Sequence, residues 1–137
     1  MNLDHANMAH AQWKIKFRTA ITSKATMDAA VISKDCNCEF GQWLHGDAQA
    51  RFGHLSNFGM CLAAHAAFHV EAGKVASLIN AKRFEDAEAM LGMGTPFAET
   101  SGKVTAAIFQ LQKQVHDTMG IFLGDAANAG KSARPSV

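Results

Sequence analysis

The chain has 137 residues, 48% of them hydrophobic and 18% charged, which describes one ordinary globular domain and excludes a disordered chain. Its formal net charge is +1, and the densest basic run (Lys14, Lys16, Arg18) is interrupted by apolar residues, so no nucleic-acid partner is expected. No apolar run approaches the roughly 20 residues of a membrane span, and Asp4, His5 and Asn7 break up any signal-peptide core. Three cysteines are an odd number for a disulfide scaffold, so the expectation is a cytoplasmic protein, off the membrane, with reduced thiols available to a metal.

Abundant alanine, two prolines and few valines or isoleucines favour helix over sheet. Leu3, Ala6, His10, Trp13, Phe17 and Ile21 recur every three or four residues and predict a first helix over 3–23. Residues 23–33 are less periodic and read as a loop. Asp35-Cys36-Asn37-Cys38 is a dense turn signal, and 39–44 fits one short helical turn before Gly46. A long helix is expected over 48–79, with irregularity around Gly53, Asn57 and Gly59; its inner stripe is Cys61, His65, Phe68, His69, Ala72, Val75 and Ile79. A shorter helix over 83–91 follows. Thr95-Pro96 then starts another, with a capping hydroxyl before a proline at the first helical position. Its stripe of Phe97, Val104, Ile108, Leu111, Val115 and Phe122 spans about 39 Å at 1.5 Å per residue. The predicted architecture is all-α: an antiparallel four-helix bundle over 1–123 with a short extra helix carrying a cysteine, then a flexible tail over 124–137.

The chemistry begins with His65 and His69. Four residues apart on one helix, the two imidazoles can reach a single ion. Alone, such a pair is equally well two half-exposed histidines, and Ala66 stands where a His-Glu-x-x-His protease would carry its general base. Their stripe, however, points inward, and a buried neutral imidazole has both a donor and an acceptor nitrogen to satisfy. His10 lies on the inward face of the first helix in the same way. Cys38 is the fourth candidate: three imidazoles and a thiolate match the borderline-soft preference of zinc and leave no coordination position open.

His10 followed by Trp13-Lys14, Asp35 with Cys38-Glu-Phe-Gly-Gln-Trp-Leu44, and His65-x-x-x-His69 resemble the chemoreceptor zinc-binding (CZB) domains of bacterial signalling proteins. The ligand separations of 28, 27 and 4 residues also look like that family. The motifs cover about 9–72, and Phe97, Ser101 and Val104 extend a weaker likeness to about 111. The resemblance implies a helical fold, often a homodimer, with zinc held by His10, Cys38, His65 and His69, and regulation rather than catalysis. In the family the domain is commonly fused to a chemoreceptor signalling region or a diguanylate cyclase. These 137 residues are too few to hold either as well, so output is expected through a separate partner of that type or through dimerisation.

Zinc availability or an oxidant such as hypochlorous acid is the expected signal, with Cys38 as the redox-active ligand because it sits in a connecting segment. Trp13, Phe40, Trp43 and Phe68 are expected to wall the site. Asp35 is a candidate acceptor for the second nitrogen of a ligand imidazole, or simply a turn cap. Cys61 is a candidate auxiliary thiol, although a buried apolar role suits it better; Cys36 is too close to Cys38 for an unstrained disulfide. His5, His45, His54 and His116 read as surface or loop residues, and 104–122 is a candidate dimer interface. The competing readings are a purely structural zinc-stabilised dimerisation module, a metal-dependent hydrolase, and a di-iron or haem bundle; the last lacks the inward carboxylates and haem-attachment motif it needs.

Overall fold

The computed structural model describes the backbone of residues 1–127 and side chains through Met119; residues 128–137, most of the expected tail, lie outside it. Helix α1 (Leu3–Ala11) starts where Asn2 Oδ1 accepts the His5 N–H at 3.0 Å. It runs almost directly into α2 (Trp13–Ser23): Gln12 keeps a helical φ of −76°, and its N–H and C=O still bond Met8 O and Lys16 N, both at 3.0 Å. The expected first helix is thus two segments in sequence, ended at Lys24 by a left-handed φ of 56°.

The segment read as a loop contains α3 (Ala29–Ile32), made by Asp28 Oδ1 accepting the Val31 N–H at 3.2 Å; a four-residue helix is too short to give a periodic signal. A 3₁₀ turn (Asp35–Asn37) leads to α4 (Glu39–His45) and α5 (Asp47–Phe52). The long helix expected from 48 is therefore divided. Leu55 is extended (φ −75°, ψ 141°), and α6 begins only at Ser56 and runs to Asn80. Helix α7 (Phe84–Met90) and helix α8 (Pro96–Ala127) follow, Thr95 Oγ1 capping α8 by accepting the Ala98 N–H at 3.2 Å. Helix α8 continues through Ala127, past the expected start of the tail at 124.

Side-chain pairings fix the directions. Met27 meets Asn80, Ile32 meets His69 and Cys38 meets His65, so 27–45 runs antiparallel to α6. Asn57 meets Gln114, and Asp4 meets Gln112 while Asn7 reaches Thr105 O, so α8 runs antiparallel to α6 and to α1. The fold is an all-α, up-down-up-down bundle whose second leg is broken into α3, the 3₁₀ turn and α4. Phe17, Phe68 and Phe97 meet edge-on or tilted at 5.6–5.7 Å in the core, each fully buried ring contributing roughly 1.5–3 kcal/mol. Val104, Ile108 and Leu111 are fully buried in this core. The proposed dimer stripe is corrected on that ground: its first half faces α1 and α6 and is not available to a second copy, and Phe122 lies outside the described side chains.

Candidate metal centre

Three legs of the bundle each bring donors to one point. Helix α1 supplies His10 and α6 supplies His65 and His69 from successive turns, all three rings buried. The broken leg supplies Cys38, the N-cap of α4, whose Sγ accepts the Gly41 N–H at 3.3 Å. The four donor atoms lie within 4.8 Å of one another. His65 Nε2 is the hub, at 3.0 Å from His10 Nε2, 3.1 Å from His69 Nε2 and 3.3 Å from Cys38 Sγ.

The proton inventory says what this cluster needs. His10 Nδ1 donates to Ala6 O and His69 Nδ1 donates to Ile32 O, each at 2.8 Å. The Ile32 carbonyl is free to accept because it ends a helix, where the last carbonyls have no intrahelical partner. A neutral imidazole carries one N–H, so both Nε2 atoms present bare lone pairs to His65 Nε2. A single proton on His65 can relieve only one of those contacts. Protein groups alone therefore leave lone pair against lone pair, whereas one cation between the rings satisfies all of them. Tetrahedral zinc bonds of 2.0–2.1 Å to nitrogen and 2.3 Å to sulfur imply donor separations of about 3.3 Å and about 3.6 Å. The three distances to His65 Nε2 are slightly shorter than that, while the four donors together span up to 4.8 Å; the set fits zinc in donor type, number and tautomer.

Electrostatics points the same way. Burial is the largest influence on each imidazole and holds all three below the ordinary histidine value, His65 at about 2, so the rings are neutral and able to bind metal. Burial likewise raises the Cys38 thiol, against the hydrogen bonds of Gly41 and Phe40 that favour its thiolate. A positive ion is what would offset that burial.

Two glycines allow the approach. A Cβ on Gly41 would lie 1.7 Å from Asp35 O and 3.1 Å from His65 Cε1. A Cβ on Gly73 would lie 2.5 Å from Ser33 Cβ, so this glycine lets α3 bring the Ile32 carbonyl to His69. Of the expected wall, Phe40 packs edge-on against His65 (5.0 Å) and His10 (5.8 Å), and Phe68 against His10 (5.4 Å) and His69 (5.5 Å). Trp43 stands one layer out, stacked on Phe40 at 6.0 Å, while Trp13 packs on Phe17 at 5.3 Å and lines a cleft of about 150 Å³ with His10, Lys16, Cys38 and Phe40.

Asp35 Oδ2 sits 3.9 Å from His65 Nδ1, beyond hydrogen-bond range, and that buried nitrogen has no partner. The carboxylate instead binds His45 Nε2 at 2.9 Å, a pairing that the surface reading of His45 missed and that the ten-residue spacing gives no means of detecting. Cys61 is buried on α6, its thiol pushed up to about 12 by burial, and is outside the four-donor cluster; Cys36 is exposed. Neither could the sequence disclose the carbonyl partners of His10 and His69, since backbone acceptors carry no residue signature.

Among the described residues, no helix is long and apolar enough to cross a membrane. No curated protein and no solved structure matches the chain. The family model of the chemoreceptor zinc-binding domain matches residues 10–76, a span that begins at the first ligand and contains all four. That match, together with a His3Cys cluster placed to hold a metal ion, supports residues 10–76 as a chemoreceptor zinc-binding domain, a zinc-binding signalling domain.

Proposed function

We propose that this chain is a cytoplasmic regulatory module, not an enzyme, in which Cys38 is the ligand that responds to oxidant or to zinc withdrawal. We propose further that the protein acts as a homodimer and relays its state to a separate signalling protein of the chemoreceptor or diguanylate cyclase type. The observation that carries the reading is the asymmetry of the four donors. The histidines are sealed on long helices, whereas Cys38 is half-buried in the broken leg and faces the cleft that opens between α1 and α4.

Bound zinc would keep Cys38 as thiolate, the nucleophilic and oxidisable form. Hypochlorous acid then oxidises that sulfur by two electrons: thiolate and HOCl give the sulfenic acid and chloride, the chlorine being reduced and the hydroxyl ending on sulfur. A sulfenic acid is a weaker donor than a thiolate, so the broken leg loses its anchor. Removal of zinc by a chelator frees the same leg. Hydrolysis is disfavoured because four protein donors fill a tetrahedron and Ala66 replaces the general base.

A purely structural zinc module would use the same donors and differs only in its response. Zinc content, zinc affinity and native mass, measured before and after one equivalent of hypochlorous acid, separate the two. The regulatory reading expects wild type to lose zinc affinity on oxidation. Cys38→Ser should bind zinc more weakly from the outset and show no further change. Full zinc affinity together with an undiminished oxidant response in Cys38→Ser would refute the role given to Cys38.

A further inference from the structure

We propose that His45 is a positioning residue of the zinc site: by binding the Asp35 carboxylate, it keeps from His65 an oxygen that stands 3.9 Å from that ligand's Nδ1. The three ligand histidines are not equivalent. His10 and His69 each have a carbonyl on Nδ1 at 2.8 Å, which fixes ring and tautomer. His65, the hub of the cluster, has none: its Nδ1 is buried and unpartnered, and Asp35 Oδ2 stops 3.9 Å away. A ligating imidazole ordinarily gives its second N–H to a carboxylate, carbonyl or water, which orients the ring and raises its basicity. The same oxygen, Oδ2, is instead engaged by His45 Nε2 at 2.9 Å.

The Asp35 backbone is not free to close the gap. Its carbonyl already occupies the space that a Gly41 side chain would need. What remains is rotation of the carboxylate, which is one-fifth exposed, over about 1 Å to reach ordinary bonding distance. His45 opposes that rotation, and at 44% side-chain exposure it can be replaced without opening the core. Two imidazoles, one ligand and one not, thus compete for one carboxylate, and the outcome sets how firmly the hub ligand is held.

The test is zinc affinity by competition with a chromophoric chelator at one pH, with circular dichroism showing each variant folded. Asp35→Asn alone should change zinc binding little, because in wild type the carboxylate is held by His45 and makes no hydrogen bond to His65. His45→Ala should tighten it several-fold, and His45→Gln, which keeps an N–H donor, should stay near wild type. In the double variant Asp35→Asn/His45→Ala the gain should vanish. In zinc-loaded His45→Ala protein the His65 Nδ1 proton should exchange with solvent more slowly than in wild type, a signature that general loosening of the fold does not produce. The proposal is overturned if His45→Ala binds zinc no more tightly than wild type. It is equally overturned if the gain persists in the double variant, because the effect would then belong to charge near the ion and not to the shared carboxylate.

Discussion

Zinc binding near neutral pH should release one proton, and that proton should come from Cys38. Burial holds His10, His65 and His69 below the ordinary value of 6.5, His65 at about 2, so at pH 7.5 none of the rings has a proton to lose beyond the Nδ1–H it keeps. The Cys38 thiol is raised above 9.0 by burial, so at the same pH it is protonated. Displacing that one proton makes the apparent affinity climb tenfold per pH unit, or about 1.4 kcal/mol, from pH 7 up to the thiol's own range. Calorimetric titration of zinc-free protein in buffers of different ionisation enthalpy, corrected for zinc–buffer binding, gives the proton count as the slope of apparent enthalpy. Wild type should give about one and Cys38→Ala about zero, with an affinity nearly flat in pH for the variant. A count of two or more would mean that buried histidines are charged before zinc arrives. A count near zero in wild type would mean that Cys38 does not bind as a thiolate, and either result refutes the reasoning.

Zinc-free protein should lose stability on mild acidification. Histidines whose folded pKa is depressed cost nothing above pH 6.5, where both states are neutral; below it the unfolded chain takes up protons that the folded site refuses, and the loss grows as the pH falls toward the folded values. At pH 5 His65 alone should remove about 2 kcal/mol, read by urea unfolding against pH 7.5, and His65→Leu should flatten that difference. Gly41→Ala should destabilise the fold by roughly 1–3 kcal/mol and weaken zinc, since its methyl meets the Asp35 carbonyl; unchanged thermal unfolding would remove the close approach from the account. Ile108→Ala should cost about 2–5 kcal/mol in urea unfolding while the native mass of the folded variant stays that of wild type, because this residue is core and not interface.

The helical class and the four donors were legible because each leaves a mark in residue type. Inward histidines on a 3.6-residue stripe, and a cysteine beside a glycine and two aromatics, contradict ordinary core composition enough to be noticed. The breaks at Gln12 and at 53–55 were less visible. Gln12 keeps helical dihedrals, and the turn before Ser56 depends on one extended residue, Leu55, whose type favours no turn. Helix α3 rests on a single aspartate cap. The stripe on α8 was seen correctly as apolar, but periodicity says only that a face is covered and not by what; intramolecular contacts with α1 and α6 cover it here. Tertiary pairs such as His45 with Asp35 are legible only once the fold is known.

The bundle divides into parts of unequal strength, and this locates where a signal would start. Helices α1, α2, α6 and α8 share the Phe17, Phe68 and Phe97 cluster and the Val104–Leu111 face. The broken leg adds Ile32, Phe40 and Leu44 to that core and otherwise meets the metal centre through the Ile32 carbonyl, Asp35 and Cys38. Zinc at a hundred times its dissociation constant stabilises the folded protein by about 2.7 kcal/mol, comparable to burying one phenylalanine. For a leg with three core residues that is a large share of its attachment, whereas for the long helices it is a small one. Zinc removal should therefore raise amide exchange first over 29–45, while the amides of α6 and the first half of α8 keep most of their protection. If exchange instead rises uniformly along the chain, the metal stabilises the whole bundle as one unit, and the broken leg is not the element that moves.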